Sequence, residues 1–393
     1  MIKVAIIGGK LQGVEACYLA KKSGFFSVLV DKNENPPARG LCDSFINADV
    51  LKKDGNLITA LINVDLVLPA LEDDEALDVL HQLEDEYELT MAFDFEAYTI
   101  TSSKKRSDLL FHENGIPAPA YYPHGLAPYI AKPVYGSGSA NVKLLETSAD
   151  ATVFLNGGCS QSEWVVQEYL SGRSYSIEVI GKPGCYRTYQ ITEIHVDKNY
   201  DCRLVTCPCN ELTDTQKADF SDTAIKLAEL LQLRGIMDVE AILDNGVMKI
   251  LEIDARLPSQ TPTAVYRSTG INFLGELYSL FCGEWTSESG AAKTPRELPV
   301  AYEHIKVNIC PQGNQIIELG EGLITQCGPL SLYENLFETD EVITDYLKGD
   351  TIMRCTLINS ACTEALLHKK REQTRKLLQW SVVSGQMTTI TNH

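Results

Sequence analysis

The chain has 393 residues, a formal net charge of −19 at pH 7, 44% hydrophobic residues and 22% charged residues. This length exceeds what one hydrophobic core usually supports, so the sequence predicts two or three domains. The acidic balance argues against a nucleic-acid partner, and no apolar run is long enough for a membrane span. The opening MIKVAIIGG is typical of a first strand and not of a signal peptide, which predicts a cytoplasmic protein.

The first part of the chain alternates predicted strands with predicted helices. β-Branched apolar runs at residues 3–8, 27–31 and 64–70 alternate with helical patterns at residues 12–24 and 74–87. This βαβ order predicts a parallel sheet of the Rossmann-like kind. Such sheets bind ligands at the carboxyl ends of their strands, so four loop residues are candidate ligand contacts, with plain surface turns as the alternative: Lys10, Asp31, Asp49 and Glu72.

The middle of the chain begins with a predicted helix and continues with predicted strands. Residues 102–119, SSKKRSDLLFHENGIPAP, place a Ser cap before an apolar face and a Gly115 stop before Pro117. Antiparallel strands with little helix are predicted from residue 129 to residue 179, on four runs separated by Gly and Ser: YIAKPV, NVKLLE, WVVQEYL and SYSIEVI. An α+β domain fits this order.

A helix, a hairpin and a small closing domain are predicted for the remainder. Residues 214–233 form an amphipathic helix pattern, and MDVEAIL and VMKILEI follow as strands joined by Asp244-Asn245-Gly246, a strong hairpin signal. Beyond about residue 294 we expect short strands near residues 300–310, 322–327 and 351–358, then a basic helix near residues 368–378. The fold class is therefore α/β and α+β, with predicted domains at residues 1–90, 91–290 and 291–393.

Three carboxylates of the predicted hairpin point to a metal site. Glu240 lies on its first strand, and Glu252 and Asp254 lie two apart on its second strand, so the last two side chains face the same side. Carboxylates brought together are unfavourable unless a cation neutralises them, and magnesium prefers oxygen ligands completed by substrate phosphates. The hairpin predicts a magnesium–nucleotide site, with a solvated hairpin face as the alternative.

A Gly/Ser loop supplies a second candidate phosphate contact. In AKPVYGSGSANV, Lys132 precedes a loop whose backbone N–H groups could approach phosphate oxygens closely. The loop residues are Gly136, Ser137, Gly138 and Ser139. Most loops of this composition are flexible turns, so the order of motifs along the chain decides between the two interpretations.

That order resembles the ATP-grasp carboxylate–amine ligase superfamily over roughly residues 90–280. Lys104 stands eleven residues before GIPAP, and Lys132, the Gly/Ser loop, VQEYL and the carboxylate hairpin follow in the family order. The resemblance implies an ATP-grasp fold with an N-terminal Rossmann-like domain and a small C-terminal domain. The implied ATP-binding residues are Lys104, Lys132, Gly136, Ser137, Gly138, Ser139, Gln167, Glu168, Tyr169 and Leu170.

The same resemblance implies the cofactors and the reaction. Glu240, Glu252 and Asp254 would hold Mg²⁺, and Arg256 would face the transferred phosphoryl group of ATP. Enzymes of this superfamily phosphorylate a carboxylate with ATP and let an amine or thiol attack the acyl phosphate. Asp254 stands where the family pattern E-x-N-x-R has Asn, and the loop reads GSGSAN where many relatives carry another Gly, so Asp254 is the least secure of the metal ligands.

Within the superfamily, the chain resembles the ligases of pyrrolysine biosynthesis, which join 3-methyl-D-ornithine to the ε-amine of L-lysine. The resemblance rests on IIGGKLQG, RSYSIEV and EIDARLPSQTPTAVYRSTGINF. Two cationic substrates need acidic partners, and we expect Glu178 and Arg256, the two predicted catalytic residues, to bind the ornithine. The other expected substrate contacts are Lys10, Leu11, Asp31, Glu72, Ser259, Gln260 and Thr261. Relatives are often dimers, so the resemblance allows a homodimer.

Four alternatives stay open on the sequence alone. GGKLQG after a strand, with Asp31 downstream, resembles a dinucleotide-binding fingerprint of an oxidoreductase, although Lys10 occupies the place of its second glycine. A nucleotide-binding module without catalysis, or an ATP-grasp ligase for another amino-acid pair, would keep the same ATP motifs. Cys202, Cys207 and Cys209 near His195 would suit zinc, although no C-x-x-C pair is present.

Overall fold

The computed structural model describes residues 1–136, 138, 141–157, 163–283, 285–286, 297–347 and 349–380. Its strands are β1 (Lys3–Ile7), β2 (Phe26–Asp31), β3 (Ser44–Asn47), β4 (Leu66–Pro69), β5 (Tyr129–Pro133), β6 (Lys143–Leu145), β7 (Trp164–Glu168), β8 (Ser174–Lys182), β9 (Cys185–Thr188), β10 (Thr192–Val196), β11 (Cys202–Cys207), β12 (Gly235–Asp244), β13 (Val247–Asp254), β14 (Val300–Asn308), β15 (Gln315–Glu318), β16 (Ser331–Glu334), β17 (Glu341–Thr344) and β18 (Ile352–Ser360). Its helices are α1 (Leu11–Ser23), α2 (Gly55–Ile62), α3 (Asp74–Tyr87), α4 (Phe95–Thr101), α5 (Lys104–Glu113), α6 (Ser148–Asn156), α7 (Asp214–Leu230), α8 (Thr261–Thr269), α9 (Phe273–Cys282), α10 (Gly322–Thr325) and α11 (Glu364–Trp380).

The chain divides into two compact units. The first unit combines Met1–Phe93, Cys202–Pro208 and Leu257–His393, and the second combines Asp94–Asp201 with Cys209–Arg256. The predicted division into three domains stays a prediction. No helix in the described part of the chain is both long and apolar enough to cross a membrane.

A parallel sheet opens the first unit, as the βαβ pattern predicts. Its strand order is β3-β2-β1-β4, and residues 4–7 of β1 are all buried because helices cover both faces of such a sheet. Helix α1 ends at Gly24, whose left-handed backbone (φ 68°) suits a residue without a side chain. Helix α3 begins after Asp73, whose carboxylate accepts a hydrogen bond from the N–H of Ala76.

The last third of the chain adds an antiparallel sheet to the first unit. Its order is β11-β14-β18-β17-β16, with β15 paired to β14. The predicted basic helix is α11, and its Arg371 and Arg375 lie 2.9 and 2.7 Å from the buried carboxylate of Glu303. The strand predicted at residues 322–327 is wrong, because Leu323 and Cys327 are buried at helical spacing and α10 forms there.

The second unit contains two antiparallel sheets. The larger has the order β13-β12-β8-β10, with β9 paired to β8, and packs with α4, α5 and α7 around one apolar core. The smaller has the order β6-β5-β7. Helix α6 contradicts the expectation of little helix in this region. Thr147 and Asp150 form a capping box at its start, and this helix signal was overlooked because the surrounding segments have the pattern of strands.

The turn that joins β12 to β13 agrees with its sequence signal. Asn245 and Gly246 both have positive φ, 48° and 84°, which is the backbone of a two-residue hairpin turn. Helix α5 also forms as predicted, although the Ser103 side chain makes no capping hydrogen bond. Both elements place candidate site residues: Lys104 at the first position of α5, and three carboxylates on the hairpin.

Candidate active site

Three neighbouring strands of the second unit carry a face of carboxylates. In one row across the sheet, Glu178 of β8 pairs with Asp238 of β12, which pairs with Asp254 of β13. In the next row, Ser176 pairs with Glu240, which pairs with Glu252. Residues two apart on a strand point to the same side, so both rows share one face. We call these five acids the carboxylate face: Glu178, Asp238, Glu240, Glu252 and Asp254.

Burial makes this face electrostatically unfavourable without a cation. Glu178 and Asp238 are almost fully buried. Burial, and then repulsion from Glu178, raises the pKa of Asp238 well above its ordinary value. Burial, followed by repulsion from Asp238 and Glu252, raises the pKa of Glu240 to about 8. Like charges directly opposite each other destabilise a sheet, so the arrangement calls for positive charge from a ligand.

Cationic side chains lie beside the carboxylate face. Lys104 Nζ is 2.7 Å from Glu252 Oε1 and donates to the Gly136 carbonyl at 2.6 Å. Arg256 Nη2 is 3.1 Å from Asp254 Oδ2. Lys132 interacts with Glu252 and Glu240, and burial lowers its pKa. The structure therefore brings the predicted metal ligands, both predicted phosphate lysines and Arg256 into one region of the second unit.

The carboxylate face fits magnesium as a partly formed site. Among the residues that the structure describes, no group of three or more His, Cys, Asp or Glu side chains is arranged to hold a metal ion by itself. Magnesium, however, is commonly bound by one or two carboxylates together with substrate phosphates and water. The oxygen-only donor set and the raised pKa of Glu240 both fit a cation that arrives with a nucleotide.

The Gly/Ser loop is described only in part. Gly136 and Gly138 have positive φ, 110° and 61°, so both adopt backbone conformations that favour glycine. Ser137 and Ser139 lie outside the described residues. The hydrogen bond from Lys104 to the Gly136 carbonyl ties the start of this loop to the first turn of α5.

Of the ATP-binding residues implied by the family resemblance, residues 168–170 are those whose backbone would bind the adenine edge; we call them the adenine-reading segment, and they lie at the end of β7. The Glu168 N–H donates to the Ala120 carbonyl at 2.8 Å, and the Tyr169 N–H donates to the Pro128 carbonyl at 2.9 Å. These two N–H groups are therefore committed to the protein. The Glu168 carbonyl and the Leu170 N–H lie outside these bonds. An adenine edge requires one acceptor and one donor, so the adenine contact expected for this segment is limited to these two backbone groups.

In the first unit, Asp31 stabilises the loop that follows β1 by a hydrogen bond. Its Oδ2 accepts from the Gly9 N–H at 2.6 Å, and its Oδ1 accepts from the Asn33 N–H at 2.7 Å. A Cβ at Gly9 would lie 2.6 Å from Pro36, so only glycine fits at this position. The substrate contact predicted for Asp31 stays a prediction, and in the structure both its carboxylate oxygens accept hydrogen bonds from loop backbone. Asp49 similarly caps a short helical turn through the Leu51 N–H.

The other first-unit candidates lie at the start of α1 and in the loop after β4. Lys10 and Leu11 occupy the start of α1, where Lys10 is exposed. Gln12, which the sequence interpretation missed, is buried and donates from Nε2 to Glu72 Oε1 at 2.8 Å. Strand order reverses between β1 and β4, and α/β sheets bind ligands at such a switch point.

Ser259 and Gln260 form a polar cluster around Glu321. The Ser259 hydroxyl donates to Glu321 Oε2 at 2.8 Å, and Gln260 Nε2 donates to the same oxygen at 2.5 Å. Gln260 has a strained backbone (φ 73°, ψ −53°), and Thr261 begins α8 directly after it. Glu321 was missed, because it lies about sixty residues further along the chain and no local pattern connects the two segments.

Glu15 was also missed, although it stood out as the lone acid in the apolar helical run GVEACYLA. Its buried carboxylate accepts from the Thr263 N–H in the first turn of α8 at 2.5 Å. Burial raises the pKa of Glu15 to about 7. The cysteine alternative finds no support among the residues with described positions: Cys202 Sγ donates to Gln260 Oε1, and Cys207 and Cys209 Sγ donate to backbone carbonyls.

Comparisons with known proteins agree with this geometry. Residues 101–260 match the ATP-grasp domain family. The chain is 38% identical over 325 residues to a 3-methyl-D-ornithine–L-lysine ligase of Methanosarcina acetivorans, covering 81% of this chain and 85% of the relative, and 37% identical to the Methanosarcina barkeri ligase of the same name over the same shares.

Solved structures show the same fold at lower identity. An L-amino acid ligase from Bacillus licheniformis has a TM-score of 0.67 and 15% identity, with 95% of this chain and 97% of that chain covered. An ADP complex of N5-carboxyaminoimidazole ribonucleotide synthetase has a TM-score of 0.64 and 17% identity, with 98% of each chain covered. The chain has the ATP-grasp fold and belongs to the family of 3-methyl-D-ornithine–L-lysine ligases, which are carbon–nitrogen ligases.

Proposed function

We propose that this enzyme activates the carboxylate of (3R)-3-methyl-D-ornithine as an acyl phosphate with ATP and couples it to the ε-amine of L-lysine. The γ-phosphoryl group passes to a carboxylate oxygen, and ADP leaves. The lysine amine then attacks the acyl carbon, loses a proton, and displaces phosphate to form an amide. The product is 3-methyl-D-ornithyl-Nε-L-lysine, an intermediate of pyrrolysine biosynthesis. The observation that carries the proposal is the carboxylate face in a chain 38% identical to a ligase of this name.

Nucleotide binding is assigned to the second unit. Lys104 and Lys132 would contact the phosphates, and the Glu168 carbonyl and Leu170 N–H would bind the adenine edge. Glu240 and Glu252 would hold magnesium, with Asp254 as a third ligand. Bound magnesium would neutralise charge on the transferred phosphoryl group. Arg256, whose guanidinium lies 3.1 Å from Asp254, is placed to bind the reacting carboxylate and the oxygens that gain charge during transfer.

The ornithine subsite is assigned to Glu178 and Asp238. These buried acids lie directly opposite each other, and the Ser176 hydroxyl donates to Asp238. Among the described residues, the carboxylate face has five acids and three neighbouring cations, and because the pKa values of Asp238 and Glu240 are raised, these two acids ionise fully only when further positive charge arrives. A nucleoside triphosphate with its magnesium ions adds little net positive charge. A substrate with two ammonium groups supplies what is missing, which supports a diamino acid over a neutral amino acid.

The lysine is assigned to the switch-point loops of the first unit. The first N–H groups of α1 favour a carboxylate, and Glu72 with Gln12 offers oxygen acceptors for an α-ammonium group. Asp31 would act by holding the Gly9–Lys10 backbone in place. Ser259, Gln260 and Thr261 remain assigned to substrate binding. Fixing both α-groups of lysine leaves its ε-amine as the nucleophile, which supports an Nε product.

One assay tests the proposal. Purified enzyme is incubated with ATP, magnesium, 3-methyl-D-ornithine and L-lysine, and ADP release is followed with product mass and fragmentation. We expect ADP release to depend on both amino acids and fragmentation to place the acyl group on Nε. ADP release with a different amino-acid pair alone would replace the substrate assignment and keep the ligase assignment. Both proposed substrates and ATP are cytoplasmic metabolites, so we place the reaction in the cytoplasm.

The proposed partners are these small molecules, without nucleic acid or membrane, and the proposed assembly is a homodimer. The acidic net charge of −19 supports the exclusion of nucleic acid. Light scattering of the purified chain at several concentrations tests the assembly. A mass equal to one chain at every concentration would contradict the dimer and leave the catalytic proposal intact.

A further inference from the structure

Lys249 joins two parts of the second unit that the proposed function assigns to opposite ends of ATP. It lies on β13, three residues before Glu252. Its Nζ is 2.7 Å from Glu168 Oε1 at the end of β7 and 3.0 Å from Asp244 Oδ2 at the end of β12. The adenine-reading segment belongs to the smaller sheet, and the carboxylate hairpin belongs to the larger sheet. Lys249 therefore connects the two sheets by an ion pair.

Glu168 is held from several sides. Its backbone N–H donates to the Ala120 carbonyl, and its Oε1 accepts from the Ala120 N–H at 3.0 Å, so the two residues exchange a pair of bonds. The turn at Gly125 packs closely against the same carboxylate, because a Cβ there would lie 3.0 Å from Glu168 Oε2. These contacts hold the Glu168 side chain in place at the end of β7, directly before the backbone of Tyr169 and Leu170.

The ion pair is partly shielded from solvent and persists over a wide pH range. The Lys249 side chain is 24% exposed and that of Glu168 is 15% exposed. Burial opposes the charge on Lys249, but hydrogen bonds to Glu168 and Asp244 outweigh it and raise its pKa. Burial likewise opposes ionisation of Glu168, and the Lys249 hydrogen bond outweighs it and lowers the Glu168 pKa. Both groups are charged near neutral pH, so titration does not break the ion pair there.

We propose that Lys249 is a positioning residue that sets the distance between the adenine-reading segment and the carboxylate hairpin, so that one nucleotide reaches both. A ligand that binds at two ends gains affinity over its separate halves only if the two subsites are held at the spacing the ligand spans. Lys249 touches neither the adenine nor the phosphates in this scheme. Lys249 acts through Glu168 and the hairpin. The proposal rests on the proposed nucleotide site and not on the assignment of the amino-acid substrates.

The test compares ATP with its two halves. Affinities of Lys249→Met for ATP, adenosine and magnesium tripolyphosphate are measured by calorimetry or by competition, beside the wild type. We expect ATP affinity to fall about three- to fivefold, the upper part of the range for a partly exposed ion pair, while adenosine and tripolyphosphate affinities stay within twofold. In steady state the KM for ATP should rise by the same factor, with kcat and the KM values for amino acids nearly unchanged.

Two further variants test whether the effect comes from the ion pair between Lys249 and Glu168. Glu168→Gln should match Lys249→Met, and the double variant should lose no more ATP affinity than either alone. Lys226→Met is the matched control, because Lys226 is an exposed lysine of the same unit whose Nζ bonds only a backbone carbonyl in the described structure, that of Asn114 at 2.8 Å. The control should bind ATP as the wild type does.

Each result decides the inference. An equal loss of adenosine affinity would show that Lys249 shapes the adenine pocket itself, and unchanged ATP affinity would show that it sets no distance; either overturns the proposal. These titrations contain no amino acid. A failure of the ornithine–lysine assignment would therefore appear in the product assay and leave the comparison of ATP with its halves unaffected.

Discussion

Replacing Asp238 by Asn tests the ornithine subsite most directly. The change removes one charge and keeps the shape, so the Ser176 hydroxyl retains an oxygen acceptor. Glu178 remains opposite on β8. A hydrogen bond to a charged group contributes about 1.5–3 kcal/mol. In this buried position we expect a loss in the upper half of that range, which corresponds to a rise of about 40- to 150-fold in KM for the ornithine.

The same substitution should not weaken the fold. Asp238 and Glu178 repel each other across the sheet, and this repulsion, after burial, raises the pKa of Asp238. Removing one of two opposed carboxylates relieves that repulsion, so we expect the melting temperature of the free enzyme to stay level or to rise. A loss of activity accompanied by a higher melting temperature separates substrate binding from general damage.

The assay uses ornithine and two analogues that each lack one amino group: D-norvaline lacks the side-chain amine, and 5-aminopentanoic acid lacks the α-amine. If Asp238 binds one ammonium group, then for the analogue without that group kcat/KM should be equal in Asp238→Asn and the wild type. An identical loss for ornithine and both analogues would refute the reasoning. Asp222→Asn, at an exposed acid on α7, is the matched control and should behave as wild type.

The remaining predictions concern the metal, a buried acid and the loop after β1. Glu252→Gln removes a proposed magnesium ligand and the partner of Lys104; we expect kcat to fall at least about 100-fold and the magnesium requirement to rise, and an unchanged magnesium titration would contradict this. Glu15 keeps its proton in the folded state up to about pH 7 but would lose it near pH 4.5 when unfolded, so stability should decline as pH rises through that window. We measure the free energy of unfolding in urea at several pH values. Between about pH 4.5 and pH 7 it should decline by up to about 3 kcal/mol less in Glu15→Gln than in the wild type, and equal declines would exclude Glu15 as the source. Gly9→Ala forces a Cβ against Pro36; we expect the KM for lysine to rise about tenfold or more with little change for ATP, and equal effects on both would argue against a lysine site in this loop.

The parts of the fold that could be predicted are those with local causes. The Asn245-Gly246 turn fixes the register of the β12–β13 hairpin as far as the pair Ala241 and Ile250. A β-bulge between Glu240 and Ala241 then shifts the pairing and places Glu240 opposite Glu252, which no local pattern predicts. Helix α3 has its cap and its apolar spacing in one short segment. Helix α6 has a cap of the same kind, but its short and mostly exposed sequence buries only Ala151, so the apolar spacing that reveals other helices is absent.

The parts of the site that could not be predicted depend on pairing between distant segments. Asp238 alternates with Glu240 in MDVEAIL, which indicates a shared face, yet its importance comes from Glu178, sixty residues earlier on β8. Lys249 appears in sequence as the one cation of the strand VMKILEID, and only the tertiary structure brings it to Glu168. Gln12 and Glu72 meet in the same way. Residue types can be read locally, whereas their partners follow from topology.

The order in which the chain builds its two units bears on how it is synthesised. Tyr18 donates to the buried Glu341 at 2.5 Å, a contact between residues 323 positions apart, and Glu15 holds the first turn of α8. A ribosome would release every segment of the second unit before it makes the last third of the first unit. The opening parallel sheet must then wait for late partners with its apolar helix faces uncovered, which exposes nascent chains to aggregation. Chaperone demand should therefore centre on the amino-terminal segment, and slower translation after residue 256 would lengthen that exposure.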